Sequence, residues 1–215
     1  MLGQRQHRVK PSVCVLASGG IDSSILVAHL AKRYTVYPLY LQSGLYWEEA
    51  ERFWLKKFLR AIAHRFIRPL TTLQLPTYDL YGNVWSTNGK KVPDYASKDE
   101  AVYLPGRNLL LLTKAAAFAS QHKIHLIASG ILKGNPFPDA RPAFFRSFER
   151  TAQLALNHKI KILTPFAKYY KRDLLQFAHH LPLHLAFSCL APRGHTPCGR
   201  CNKCAERDKL LRLPA

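Results

Sequence analysis

The 215-residue sequence predicts a doubly wound α/β domain, built on a mostly parallel sheet and ending in a C-terminal four-cysteine knuckle. Three observations predict it. Apolar, β-prone runs alternate with helical stretches along most of the chain, as βαβ units do. The first apolar run stops at Ser18-Gly19-Gly20, and a helical pattern follows at once. Four of the five cysteines fall between Cys189 and Cys204.

The elements follow in order. Residues 13–17 read as the first strand and 23–33 as the first helix. Residues 35–41 read as the second strand, in which Pro38 implies an edge position or a local irregularity. The stretch 47–63 is amphipathic, with Trp47, Ala50, Trp54, Phe58 and Ile62 on one helical face. A third strand spans 70–75 and is closed by Pro76. Residues 76–103 carry no regular pattern and read as a long functional or mobile loop. Then come a helix (106–121), a strand (124–128) ending in Ser129-Gly130, a loop (134–142) and a helix (143–157). A last strand (160–163) and a short helix (171–178) complete the alternation. Such an order gives a parallel sheet covered on both faces, with ligands beyond the carboxyl ends of the strands. The Ser18 loop, the Gln42 turn, Ser129-Gly130 and Thr164-Pro165 all lie at such ends.

Composition sets the class. Lys plus Arg number 32 against 13 Asp plus Glu, a net charge of +19. That balance concentrates anions and would draw nucleic acid nonspecifically, but the basic residues are spread without a block, so nucleic acid is not the favoured partner. No apolar run reaches membrane-spanning length, and residues 1–10 are polar and basic without a signal-peptide core, which reads as a loose basic leader and a cytoplasmic location.

The turn after the first strand carries the chemistry. Glycines at 19 and 20 let the backbone turn sharply and expose N–H groups. The helix start adds unpaired N–H donors and a positive dipole end, a ready site for phosphate. Ser18, Ser23 and Ser24 add hydroxyls. Asp22 repels a bare phosphate, so it either caps the helix or acts through magnesium. Neither G-x-x-x-x-G-K-[ST] nor G-x-G-x-x-G is present. An ordinary strand-turn-helix junction is the plain alternative. The run Ser18-Gly-Gly-Ile-Asp-Ser23 resembles the signature of the PP-loop ATP pyrophosphatases, which cleave ATP to AMP and pyrophosphate while adenylating an acceptor.

The cysteines are spaced Cys189-x8-Cys198-x2-Cys201-x2-Cys204. Four thiolates suit tetrahedral zinc, and an all-cysteine set leaves no open position, so the site reads as structural. Gly199 fits the tight turn, and Arg200, Lys203 and Arg207 offset the negative charge. An iron–sulfur cluster or sulfur-carrying thiols are the alternatives, and His195 is a spare ligand. Cys14 stands apart in the first strand.

Loop and knuckle together resemble the 7-cyano-7-deazaguanine synthase family of PP-loop enzymes, over nearly the whole chain. The marks are Ser18 to Ser23, Pro105-Gly-Arg-Asn108, Phe137-Pro-Asp-Ala-Arg-Pro142, and Ser188-Cys189 with Cys198-Gly-Arg-Cys201-Asn-Lys-Cys204. The resemblance implies an adenine nucleotide alpha hydrolase-like fold at 11–187, with 188–215 as the zinc-binding segment of the same domain. It also implies an enzyme that turns 7-carboxy-7-deazaguanine and ammonia into the nitrile, through acyl-adenylate and amide, at the expense of ATP. On that reading Ser18, Gly19, Gly20, Asp22, Ser23 and Ser24 hold ATP phosphates and magnesium. Asp22, Ser23 and Arg107 are catalytic, Asn108 meets the nucleotide, and Arg107, Asp139 and Arg141 contact the acceptor. Arg107 as a surface charge, Asn108 as a helix cap and Asp139 as a turn residue are the plain alternatives. The sequence departs from the family pattern at 41–49 and at 131–136, where Lys133 stands in place of an acid, and Ala140 replaces a cysteine. A homodimer is expected. A tRNA-modifying PP-loop enzyme (a thiolase or lysidine-type ligase) and a non-catalytic zinc-ribbon nucleic-acid binder are the competing readings.

Overall fold

The structure is a computed structural model describing residues 10–178 and 180–211. Of the leader expected at 1–10, only Lys10 lies among the described residues. Its ammonium donates to the carbonyls of Ala31 and Lys32 at 3.0 and 2.7 Å, satisfying the end of the first helix.

Five strands form one sheet: β1 (Ser12–Leu16), β2 (Thr35–Gln42), β3 (Thr71–Gln74), β4 (Leu126–Ala128) and β5 (Lys161–Leu163). Their order is β3-β2-β1-β4-β5, and every pair is parallel. β1 is central, and its alternating side chains supply two cores. Val13 and Val15 join one cluster with the helix α1 (Ile21–Ala31) and Leu174. Cys14 joins the other with α5 (Arg107–Gln121) and α6 (Pro142–Leu156). Helices therefore cover both faces, as the alternation predicts. A third cluster gathers Leu45, Trp47, Leu104 and Phe187 around the cysteines. Among the described residues no helix is long and apolar enough to cross a membrane.

Local chemistry sets the boundaries. α1 begins at Ile21, because Gly20 is extended (φ −66°, ψ 161°) and serves as its N-cap without a side-chain bond. Asp22 thus lies inside the first turn and is not a cap, which removes one of its two expected roles. α6 starts with Pro142, whose missing N–H costs nothing there, and stops at Asn157 in the left-handed conformation (φ 46°).

Two sequence expectations are corrected and one is narrowed. Of the two alternatives for Pro38, the edge position is not found, because β2 is internal to the sheet, and the local irregularity is. Val36 faces β3, its N–H donating to Phe66 and its carbonyl accepting from Arg68, while the Leu39 carbonyl accepts from Ala17. Pro38 therefore faces β3 where that ladder is broken, between the Val36–Ile67 bridge and the Leu39–Thr71 pairing, so its missing N–H disrupts nothing. The stretch 76–103 is not structureless: it holds α3 (Tyr78–Tyr81), α4 (Trp85–Asn88) and a 3-10 turn at Asp99–Val102. The cysteine segment ends in a further helix, α7 (Asn202–Leu211), which the sequence reading lacks.

The strand order reverses between β1 and β4, opening a crevice at their carboxyl ends. The turn entering it is crowded. Gly19 has φ +83°, and a Cβ there would sit 3.1 Å from Leu55 Cβ and 3.2 Å from the Glu51 carbonyl of α2 (Glu48–Ala61). Gly19→Ala combines backbone strain with overpacking and is expected to cost about 2–4 kcal/mol in denaturant unfolding. A loss below about 0.5 kcal/mol, the size of an ordinary surface substitution, would contradict this packing.

Candidate active site

A cavity of about 640 Å³ occupies the crevice, within the range of small-molecule sites. Ser18, Gly20, Asp22 and Ser23 line it from the β1–α1 turn, and Ser129 and Gly130 from the end of β4. Gly130 packs against the start of α1, and a Cβ there would lie in ordinary contact with Asp22 Cβ and Ser23 N, both at 3.6 Å. The first-turn N–H groups of α1 have no intrahelical partner and carry the positive end of the helix dipole. Around them the hydroxyls form a small network. Ser18 Oγ and Ser23 Oγ lie 3.2 Å apart, the Gly20 N–H donates to Ser18 Oγ at 3.3 Å, and Ser23 Oγ donates to the Gly20 carbonyl at 3.1 Å. Two expected members stand back. Ser24 is fully buried with no partner for its hydroxyl and does not line the cavity. Gly19 also lies off the cavity wall; its carbonyl accepts the Phe187 N–H at 2.8 Å.

Asp22 enters the cavity beside a cation the sequence reading did not single out. Lys171 Nζ lies 2.7 Å from Glu206 and 3.4 Å from Asp22. Burial works against the Lys171 charge, but the two carboxylates outweigh it and hold its pKa above the ordinary value. Glu206 is the close partner: burial opposes its charge, yet Lys171 and Lys203 together hold its pKa low. Asp22 is the looser one. Burial raises its pKa despite Lys171, and its Oδ1 is enclosed without a hydrogen-bond partner. An under-satisfied carboxylate beside a phosphate-type turn suits magnesium, a hard cation that takes oxygen ligands. Lys171 follows the Thr164-Pro165 turn beyond β5, so strand-end reasoning could have found it; Glu206 sits on the unforeseen α7.

Arg107 and Asn108 open α5 after Gly106 (φ 71°) and reach the cavity. Asp139 and Arg141 do not. The Asp139 carboxylate accepts the Asn108 N–H at 2.9 Å and its side-chain amide at 3.2 Å, so it caps the start of α5 from outside the cavity. Arg141 is exposed ahead of α6. Neither side chain lines the cavity where acceptor contacts were expected, and Asp139 instead holds Asn108.

The carboxylate at that side of the cavity is Glu51. Its Oε2 accepts the Tyr40 hydroxyl at 3.0 Å. Burial pushes its pKa up to about 8, against the lowering effects of the Arg107 charge and the Tyr40 bond, with Glu48 adding to the rise. Glu48 is consumed structurally, accepting the Ser43 and Gly44 N–H groups at 2.6 and 2.9 Å and so fixing the turn after β2. Trp47 and Trp85 stack at 5.9 Å and form an aromatic wall of the same region. In the sequence Glu51 reads as one more solvated acid at a helix start, so nothing there marks it.

The four cysteine sulfurs lie within 4.8 Å of one another. Cys201 Sγ is 3.5 Å from Cys204 Sγ, and Cys198 Sγ is 3.9 Å from Cys204 Sγ. A tetrahedron with metal–sulfur bonds of 2.3 Å has edges of about 3.8 Å, so the set fits zinc. The N–H groups of Leu190 and Cys198 point at Cys201 and Cys189 sulfurs at 3.4 and 3.2 Å. His195 instead stacks on Phe53 at 3.8 Å.

A doubly wound sheet with a phosphate-type turn at its strand-order reversal defines a nucleotide-binding α/β enzyme. More particularly, residues 12–213 match the model of the queuosine biosynthesis protein QueC family, and the chain belongs to that family. It is 30% identical over 210 residues to the 7-cyano-7-deazaguanine synthase 1 of Desulfitobacterium hafniense (strain Y51), covering 95% of this chain and 93% of that protein. The 7-cyano-7-deazaguanine synthase of Methanoculleus marisnigri is 30% identical, with 95% of both chains covered. That of Leptospira interrogans is 30% identical, covering 91% of this chain and 84% of its own.

The Glu51 environment predicts a pH effect. Between its ordinary value of 4.5 and about 8, Glu51 is ionised in the unfolded chain and protonated in the fold. The unfolded state then binds fewer protons, so this group withdraws stability as pH rises through that window. Glu51→Gln is expected to flatten the fall in Tm between pH 5 and 8. An unchanged pH slope would show that Glu51 is ionised in the fold.

Proposed function

We propose that the protein is a 7-cyano-7-deazaguanine synthase, converting 7-carboxy-7-deazaguanine and ammonia into the nitrile with release of AMP and pyrophosphate. The observation that carries this is membership of the family over residues 12–213, joined to Ser18 and Gly20 lining the crevice at the sheet's switch point. The acceptor carboxylate attacks the α-phosphorus of ATP, and pyrophosphate leaves. Ammonia then attacks the acyl carbon, and AMP departs with one former carboxylate oxygen. The resulting amide oxygen attacks the α-phosphorus of a second ATP and displaces pyrophosphate, and loss of AMP and two protons then leaves the nitrile.

In this reading Ser18, Gly20, Ser23 and the α1 amides bind the phosphates, with Lys171 supplying positive charge beside them. Asp22 holds magnesium, which when bound shields phosphate charge as the α–β bond breaks. Arg107 and Asn108, the latter held by Asp139, face the nucleotide or the acceptor. Residues 188–215 belong to the same domain as 11–187, a proposal supported by the packing of the cysteines with Trp47, Leu104 and Phe187. Their zinc is structural. A cytoplasmic homodimer using ammonia belongs to the same proposal; sedimentation tests its oligomeric state.

With acceptor, ammonia and ATP, mass spectrometry is expected to find the amide, then the nitrile, with AMP and pyrophosphate. Asp22→Asn is expected to cut turnover ~100-fold or more at unchanged Tm, the scale of losing a preorganised charge. Production of ADP and phosphate would rule the assignment out. For the metal, elemental analysis is expected to give about one zinc per chain, and Cys201→Ser to lower both zinc content and solubility. Iron in its place, or a folded metal-free protein, would refute the zinc reading.

A further inference from the structure

The geometry points to Glu51 and Arg107 as the pair that reads the guanine-like edge of the acceptor. The inference rests on the acceptor class proposed above and assigns the contacts that fix its orientation. A guanine edge presents, side by side, an exocyclic amine donor, a ring N–H donor and a carbonyl acceptor. Its complement is a carboxylate next to a fixed cation.

Elimination among the acids near the cavity leaves one carboxylate for that task. Asp22 and Glu206 share Lys171, Asp99 lies 3.4 Å from Lys203, and Glu48 is taken by two backbone N–H groups. Asp139 caps α5 outside the cavity. Glu51 lines the cavity with only the Tyr40 hydroxyl as a partner, on one of its two oxygens. Arg107 is its neighbour without being its ion pair: no carboxylate lies within 4.0 Å of the Arg107 guanidinium among the described residues, and its Nε is buried without a hydrogen-bond partner. A guanidinium and a carboxyl that are both half-buried on the wall of one cavity, yet not paired with each other, are an arrangement that a ligand bridging both would satisfy. The ring N–H and amine would donate to Glu51, and the ring carbonyl would accept from Arg107. The stacked Trp47 and Trp85 wall suits the flat ring system. This orientation leaves the edge toward α2 and α5 and turns the opposite, carboxylate-bearing side toward the Ser18 turn.

Titration agrees with this placement. The groups facing Glu51 are Tyr40 from β2, Glu48 from its own helix and Arg107 from α5, and burial dominates them all. A ligand donating two hydrogens to Glu51 favours its ionised form, so acceptor affinity should fall ~10-fold per pH unit below about 8.

The test compares binding of 7-carboxy-7-deazaguanine and its 2-deamino analogue to the zinc-loaded protein, read by tryptophan quenching. Pyrophosphate release is measured in the same samples. Wild type is expected to favour the 2-amino compound ~100-fold or more, as sites built around a hydrogen-bonding edge do. Glu51→Gln, which offers one acceptor and one unwanted donor, is expected to reduce that preference below ~10-fold and leave ATP affinity within about twofold. The preference is a ratio measured within one protein, so a partly unfolded variant does not mimic the result. A wild type without preference, a variant that keeps it, or a variant that weakens ATP instead would each overturn the inference. A Glu51-dependent preference without nitrile formation would leave the edge reading standing and sink the proposed activity.

Discussion

The turn at Gly19 is the constraint on which the site depends. At φ +83° and with α2 pressed against it, residue 19 disfavours any side chain: the backbone would be strained and α2 would have to give way. Its carbonyl takes the Phe187 N–H, which anchors the chain just before Cys189. One backbone turn therefore ties together the phosphate-type loop, the helix that carries Glu51 and the segment that carries the cysteines. The four-sulfur cluster closes the same wall, packing with Trp47 and Leu104, so a metal there would brace the cavity from behind without entering its chemistry.

Electrostatics sets the division of labour inside. The chain has only 13 acids against 32 Lys and Arg, yet Asp22, Glu51, Asp99 and Glu206 all line one cavity. The basic excess raises the local concentration of nucleotide and carboxylate ligands. The acids then differentiate by their surroundings. Glu206 neutralises Lys171 closely, Asp22 is left partly unmet, and Glu51 is pushed toward its neutral form by burial. Groups in one site with such separated titrations are typical of functional centres.

Much of this was legible in the sequence. The alternation of strands and helices, the glycine turn and the cysteine spacing each have a local cause, so each survives into the fold. The Asp22 region and the cysteine cluster are found where the pattern places them. What was not legible is set by tertiary contact. Asp139 lies in a proline-bracketed loop that reads as ligand-facing, but its carboxylate is captured by the backbone N–H and side-chain amide of Asn108 at the start of α5. Ser24 follows the hydroxyl run yet points into the core, because one step along a helix turns a side chain about a quarter of the way round. Pro38 reads as either an edge residue or an irregularity, and only the break in the β3 ladder decides between the two. Glu51, Lys171 and Glu206 come from three separate elements, and only the fold brings them to one cavity.

The central claim is that this cavity activates a carboxylate by joining it to AMP. The most direct measurement uses acceptor labelled with oxygen-18 in both carboxylate oxygens and mass spectrometry of the nucleotide product. Attack on the α-phosphorus predicts that each AMP released carries one labelled oxygen, and that pyrophosphate carries none. Label in pyrophosphate or in free phosphate, or its complete absence from AMP while product forms, would contradict the account.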